Sequence, residues 1–271
     1  MREQIAFIGG GNMASALIGG LLKQGLCAEK ISVVEPFEQA RSKLLADFGI
    51  SALEQSGPAL AQASLVVWAV KPQTFRPAAE ATHAYTRQAL HLSVAAGIRS
   101  DSIARWLGTE RVVRSMPNTP ALIGQGMTAL FGREGVTPND RQVVEQVIRP
   151  TGQYLWLEAE DQLDAVTALS GSGPAYVFYF LEAMIRAGTE MGLTLQQARQ
   201  LAIQTFIGSS ELARSSSDDL SVLRQRVTSK GGTTYAAITA MEQAQMQTLF
   251  IQALQAARHR AQELGEEFGA Q

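Results

Sequence analysis

Ile5-Ala6-Phe7-Ile8-Gly9-Gly10-Gly11-Asn12-Met13-Ala14 is the stretch on which the reading of this chain turns. Four apolar residues, the pattern of a strand covered on both faces, run into three glycines and then into a helical stretch over 13–24. The spacing is G-x-G-x-x-A in the strand-loop-helix setting that a dinucleotide needs. Gly9 permits the tight turn, Gly11 lets backbone approach a pyrophosphate, and Ala14 lets helix and strand pack closely. The helix start adds free N–H groups and the positive end of the helix dipole. Ile8, Gly9, Gly10, Gly11, Asn12 and Met13 are therefore candidate cofactor contacts.

Outward from this loop, short apolar runs predict further strands at 31–34, 65–69, 90–94, 112–115, 128–131 and 154–157, after a first one at 4–8. Helical stretches fall between most of them, at 13–24, 36–48, 58–63 and 102–107. Thr137-Pro138-Asn139-Asp140 reads as a cap, a first-turn proline and a third-position acid, and opens a helix to about Ile148. Such alternation predicts a Rossmann-type, doubly wound, mostly parallel α/β sheet over residues 1–160. Beyond it the strands stop. Residues 161–271 read as an all-α domain with an almost wholly apolar helix at 175–191, a capping box at Thr194-Leu195-Gln196-Gln197 opening a helix to about Ala213, a polar connection at 214–219, and one last helix over 233–264. A helix apolar all round is buried, either within its own chain or by a partner chain.

Composition narrows the function. The chain has 271 residues, enough for about two domains at roughly 150 each. Its 23 basic and 25 acidic residues leave no positive surplus to neutralise phosphates, which argues against a nucleic-acid partner. A single cysteine forbids an intrachain disulfide and fits a reducing compartment. Residues 4–22 carry no charge, yet Gly9-Gly10-Gly11-Asn12 breaks the run, and Ser170-Gly171-Ser172-Gly173-Pro174 breaks the uncharged run 165–181. A leader or membrane span is rejected on that ground, and a cytoplasmic protein is expected.

In a doubly wound sheet the ligand lies outside the carboxyl ends of the strands. Glu35 ends the second strand, where an acid takes adenosine ribose hydroxyls and repels a 2′-phosphate. It favours NADH, while Arg41, about a turn into the next helix, could offset it; the choice between NADH and NADPH stays open. Glu35 could equally serve only the start of the following helix. Ala69-Val70-Lys71-Pro72, Ala96-Gly97 and Asn118 within Met116-Pro117-Asn118-Thr119-Pro120 sit at three further strand ends. Val70 would press on a nicotinamide, Asn118 would orient its carboxamide, and Lys71 would meet a negative charge. In the helical half, Ser229-Lys230-Gly231-Gly232-Thr233-Thr234 makes an anion site at a helix start, suited to a small carboxylate, unless Thr233 is an ordinary cap. His83, His91 and His259 fall in no metal or catalytic spacing, and no metal site is expected. Without a histidine in these loops, reduction of a C=N bond is a better fit than oxidation of an alcohol, because a protonated imine is already electrophilic.

These motifs, together with Ser170-Gly171-Ser172-Gly173-Pro174-Ala175-Tyr176 and Thr228-Ser229-Lys230-Gly231-Gly232-Thr233-Thr234, resemble pyrroline-5-carboxylate reductase over essentially the whole length. The resemblance implies reduction of 1-pyrroline-5-carboxylate to L-proline by NADPH or NADH, the last step of proline synthesis. It implies a homodimer interlocked through the helical domain, such dimers typically assembling into decamers. It implies that Ser229, Gly231, Gly232, Thr233 and Thr234 hold the substrate carboxylate, with Thr234 facing the ring nitrogen as proton donor. Ser56 stands roughly where the family often has an asparagine near the ribose, and Lys230 where many relatives have proline. The alternatives are a β-hydroxyacid dehydrogenase, disfavoured because residues 161–229 contain no lysine, and a non-catalytic nucleotide-binding protein on the same scaffold.

Overall fold

The computed structural model describes residues 4–269; positions 1–3, 270 and 271, included in the expected domains 1–160 and 161–271, lie outside the described residues. Seven strands form one sheet: β1 (Ile5–Ile8), β2 (Ile31–Val34), β3 (Leu65–Trp68), β4 (Leu90–Ser93), β5 (Val112–Met116), β6 (Gly126–Gly132) and β7 (Gly152–Trp156). Their order is β2-β1-β3-β4-β5-β6-β7. The first five are parallel, β6 runs antiparallel to β5, and β7 is parallel to β6. All seven coincide with expected runs to within two residues, and the mixed, mostly parallel sheet matches the expected class.

Period-two alternation explains why the strands read as continuous apolar runs. Ile5 and Phe7 of β1 join one core, Ala6 and Ile8 the other. The first core is covered by α1 (Asn12–Lys23), α2 (Glu38–Phe48) and α5 (Pro138–Ile148) through Leu17, Leu21, Leu44 and Val144. The second is covered by α3 (Pro72–Thr86) and α4 (Ser100–Leu107) through Phe75, Ala79, Ile103 and Leu107. Both capping boxes form: Thr137 with Asp140 at α5, and Thr194 with Gln197 at α8 (Leu195–Ser215).

Three expectations need correction. No helix was expected between β3 and β4, yet α3 fills that span with Pro77 inside it. An interior proline costs roughly 3 kcal/mol. The helix forms because Phe75 is fully buried and stacks on Trp68, ring centroids 4.9 Å apart, a tertiary gain invisible to local reading. The stretch 58–63 is a short 3-10 turn, Pro58–Gln62, rather than an α-helix. The single last helix is two, α10 (Thr233–Gln243) and α11 (Met246–Gly269), broken at Gln245, whose φ of 53° is left-handed. The break occurs in an Ala/Gln-rich run with no glycine or proline to announce it. Further elements are α6 (Gln162–Val166), a π-helical turn (Thr167–Gly171), α7 (Gly173–Glu190) and an unexpected short α9 (Leu220–Arg226), with three short 3-10 turns at Ala28–Lys30, Thr119–Ile123 and Arg149–Thr151.

The chain divides into two compact units, Met1–Gly173 with Ala257–Gln271, and Pro174–Ala256. In the second, α7 and α8 approach closely, a Cβ at Gly188 lying 2.9 Å from that of Ala198. Yet that unit buries little apolar surface: Phe178 is 59%, Tyr179 71%, Leu212 59% and Leu249 59% exposed. So many large apolar groups on one small unit mark a protein interface. Among the described residues no helix is long and apolar enough to cross a membrane.

One buried ion pair closes the first unit. Glu160 accepts from Arg114 Nη1 at 2.5 Å, from the Ser100 N–H at 2.6 Å and from Ser100 Oγ at 2.6 Å. Burial pushes its carboxyl upward, but the Arg114 charge and the Ser100 hydrogen bonds outweigh that and hold it below the usual range. Glu160→Ala leaves Arg114, 8% exposed, with an uncompensated charge, and should cost about 3 kcal/mol in urea unfolding.

Stability should also fall as pH drops. His91 lies in the sheet, its Nδ1 accepting from Trp68 Nε1 at 3.1 Å. Burial above all, opposed in part by the Thr86 backbone and aided by the Arg111 charge, lowers its pKa from 6.5 to about 4. Because the folded value is the lower one, the unfolded chain takes the proton first. The stabilisation is complete above pH 6.5 and is lost between about 6.5 and 4, a loss of roughly 3 kcal/mol at most. The depressed carboxyls of Asp140 and Glu160 extend the decline below pH 4.5. A urea midpoint that is flat from pH 7 to 4.5 would contradict this; His91→Asn, which keeps an acceptor for Trp68, should flatten it.

Candidate active site

Because β1 to β5 are parallel, the loops that follow them leave the same edge of the sheet. The strand order reverses between β1 and β3, and in doubly wound sheets the region outside the strand ends at such a switch point is where ligands bind. The glycine loop lies there, after β1. Gly9 has φ +96°, its N–H bonds the Val34 carbonyl at 2.8 Å, and a Cβ there would lie 2.5 Å from the Ala69 carbonyl oxygen and 3.1 Å from Val70 Cγ1. Only glycine fits, and the contact brings the 9–13 and 69–72 loops together. Gly10 is fixed by Leu44 and Glu35, whose atoms a Cβ would meet at 2.6 and 3.4 Å.

Gly11 differs. It caps α1 with an ordinary φ of −73°, and a Cβ there would meet nothing within 4 Å. Neither backbone strain nor packing requires glycine. What glycine preserves is open space in front of a 12-residue helix with no side-chain cap and no acid in its first turn. That open cradle at a helix N-terminus has the shape and polarity a pyrophosphate needs, so the residues fit a dinucleotide. Ile8 is buried in the strand, while Asn12 is exposed and Met13 half-buried at the helix start.

The remaining candidates of this unit occupy neighbouring strand ends. Lys71 is exposed, starts α3 as its cap, and makes no ion pair among the described residues. Pro72 is the first residue of that helix. Ser56 Oγ shares a hydrogen bond of 2.7 Å with Thr82 Oγ1 on α3. Ala96 is half-buried, and Gly97 turns at φ +74° beneath Leu264 and Phe268 of α11. Asn118 is occupied at both ends: Oδ1 accepts from the Met127 N–H at 2.9 Å, and Nδ2 donates to Ser170 Oγ at 3.2 Å. Sequence reading quoted Ser170 but gave it no task. Its place against Asn118 follows from the π-helical turn, a local widening of the helix that no residue type in Thr167–Gly171 signals.

The second unit holds the other loop. Gly231 turns at φ +76° in open space, and Gly232, with no side-chain capping bond, starts α10. The capping role offered for Thr233 is therefore vacant: Thr233 and Thr234 are the first two helical residues, Thr233 exposed and Thr234 half-buried. The Ser229 hydroxyl would lie 2.6 Å from a Cβ at Gly232, so the loop is drawn tight around a glycine. Free N–H groups, two threonine hydroxyls and no first-turn acid make this start attractive to a carboxylate.

Comparisons with known proteins cover both halves. Residues 160–264 match the family model for pyrroline-5-carboxylate reductase dimerisation, and residues 4–97 match that for NADP oxidoreductase, coenzyme F420-dependent. The pyrroline-5-carboxylate reductase of Pseudomonas aeruginosa is 44% identical over 98% of this chain and 98% of its own. That of Haemophilus influenzae is 40% identical over 96% of this chain and 97% of its own. Among solved structures, a pyrroline-5-carboxylate reductase from Coxiella burnetii superposes with a TM-score of 0.90 at 36% identity, covering 97% of this chain and 99% of that one. A Plasmodium falciparum pyrroline carboxylate reductase with NADP bound gives a TM-score of 0.87 at 27% identity, covering 97% and 98%. Prephenate dehydrogenase of Aquifex aeolicus, at 14% identity and a TM-score of 0.55, shares the fold alone.

Proposed function

This chain belongs to the pyrroline-5-carboxylate reductase family, and from that premise we propose which of its residues carry the reaction. It is an NAD(P)H-dependent oxidoreductase that reduces 1-pyrroline-5-carboxylate to L-proline in proline biosynthesis. The observation that supports the residue assignment most is the pair of uncapped helix starts, α1 behind Gly11 and α10 behind Gly232, one suited to a pyrophosphate and the other to a small carboxylate.

NAD(P)H, when bound, supplies the hydride that goes to the imine carbon. The backbone N–H groups of residues 11–13 hold the phosphates, with Gly9 and Gly10 shaping the loop and Ile8 anchoring it. Ala69, Val70 and Pro72 give the nicotinamide an apolar wall, Ala96 and Gly97 a close-approach surface, and Lys71 a positive charge at the rim. Ser56 lies on the adenosine side. Asn118 acts by fixing its loop to Ser170 and Met127. Ser229, Gly231, Gly232 and Thr233 hold the substrate carboxylate, and the Thr234 hydroxyl hydrogen-bonds the ring nitrogen and relays a proton to it as water returns one to the hydroxyl. Carbon gains a hydride and nitrogen a proton as the C=N double bond becomes single, which balances the reduction.

Residues 1–160 serve the cofactor and 161–271 the substrate and the dimer, the family model's start at residue 160 supporting that boundary. The dimerisation match and the exposed apolar groups of α7 support a homodimer, and we take the assembly further, to a cytoplasmic decamer of dimer building blocks. Sedimentation velocity distinguishes the two sizes. The activity is tested by mixing purified protein, 1-pyrroline-5-carboxylate and either reduced nucleotide and following absorbance of the nicotinamide. Oxidation is expected with at least one; none with either overturns the assignment.

A further inference from the structure

The acid at the end of β2 is the residue by which such folds are ordinarily read, since a carboxylate there binds the ribose hydroxyls of NADH and repels the 2′-phosphate of NADPH. In this chain that carboxylate is turned to another use. Glu35 is only 6% exposed. Its Oε2 accepts the N–H of Gly10 at 2.8 Å, and its Oε1 accepts the N–H of Phe37 at 2.9 Å. Its stem lies against Gly10, so the side chain sits beneath the glycine loop and ties it to the start of the next segment. Two backbone donors spread its charge and hold its direction.

The cation beside it is free of any carboxylate. Arg41 is half-buried in the first turn of α2, with Nη1 donating to the carbonyl oxygens of Glu35 at 3.0 Å and Pro36 at 2.7 Å. Both are neutral acceptors, and Arg41 makes no ion pair among the described residues. Nη1 spends its two hydrogens on these carbonyls, which fixes the guanidinium plane at the end of β2 and leaves Nη2 and Nε for a ligand. A fixed planar fork with undiminished charge matches a phosphate better than a diol.

We propose that Glu35 is a positioning residue for the glycine loop and that Arg41 reads the 2′ position, so that this chain binds the 2′-phosphorylated dinucleotide in preference to the unphosphorylated one. The proposal rests on reading the β1–α1 loop as the dinucleotide site. It reverses the preference that the acid in the sequence suggests, and the reversal follows from the direction of one carboxylate.

Titration calorimetry tests it without turnover. NADP+ and NAD+, and the fragments adenosine 2′,5′-bisphosphate and 5′-AMP, are titrated into the parent, Arg41→Met and Glu35→Gln. The parent should favour the phosphorylated member of each pair by about tenfold or more, less so at high salt. Arg41→Met should lose most of that preference while holding NAD+ as before. Glu35→Gln, which keeps only one acceptor oxygen, should weaken NADP+ and NAD+ by a similar factor and leave their ratio in place. An unchanged ratio in Arg41→Met, or a ratio that rises in Glu35→Gln, overturns the proposal. If the parent binds both dinucleotides equally, the proposal alone fails; if it binds neither, the dinucleotide site itself fails and the proposal with it. Since Glu35→Gln could loosen the loop enough to unfold it, the Arg41→Met arm, which leaves both glycine-loop bonds of Glu35 in place, decides by itself.

Discussion

A Gly11→Val variant is expected to keep the parent's fold and to lose its dinucleotide. The two effects separate because of where the new side chain goes. Gly11 has an ordinary φ of −73°, and a Cβ there meets nothing within 4 Å, so the folded chain accepts the residue at only the cost of a poorer cap, about 1 kcal/mol. The space it fills is the approach to the uncapped N–H groups of α1. Losing two charge-assisted hydrogen bonds to a phosphate, at roughly 1.5–3 kcal/mol each, corresponds to a drop in affinity on the order of a hundredfold or more. Calorimetric titration and a thermal melt of the same preparation give both numbers. Gly9→Val is the counterpart. There φ is +96° and the carbonyl oxygen of Ala69 is 2.5 Å from the new atom, so that variant should be destabilised or fail to fold. A Gly11→Val protein that still binds tightly would move the pyrophosphate away from this loop.

Thr234→Ala is expected to lower kcat by about a hundredfold while leaving dinucleotide affinity and thermal stability near the parent's, because loss of a positioned proton donor typically costs 10²–10⁴ in rate. The separation is again structural. Gly232, not a threonine, caps α10, so the Thr234 hydroxyl has no capping duty whose loss would unfold the helix. Thr234→Ser keeps the hydroxyl and should recover most of the rate. Steady-state kinetics with saturating reduced nucleotide measure this, and an undiminished kcat in the alanine variant would remove Thr234 from the proton's path.

The β-strands were legible because each is short, apolar and bounded by turn residues, and because alternate residues feed two cores. β1 shows it, with Phe7 in one and Ile8 in the other. Caps were legible for a related reason. Thr137 and Thr194 bond the backbone three residues on, a contact written entirely in local sequence. Where local rules misled, long-range packing had overruled them. Pro77 argues against α3, and Phe75 on Trp68 argues for it more strongly. The break at Gln245 has no sequence signal because alanine and glutamine are good helix formers on either side.

The site divides in the same way. Its glycines were readable, since a strand running into Gly9-Gly10-Gly11 already states where backbone must come close to a ligand. The commitments of the side chains around it were not. Asn118 is bonded to Ser170, which the π-helical turn delivers to it from 52 residues away. Glu35 is committed to the backbone N–H groups of Gly10 and Phe37, partners that its place at a strand end did not announce.

The sequence by itself therefore determined the fold class, the family and the places where ligands meet backbone, because these depend on hydrophobic period, turn chemistry and glycine, all of which act within a few residues. Only the tertiary structure decided which way Glu35, Arg41 and Asn118 point. Each of those side chains can donate or accept in several directions, and the direction taken depends on partners that chain folding brings from elsewhere.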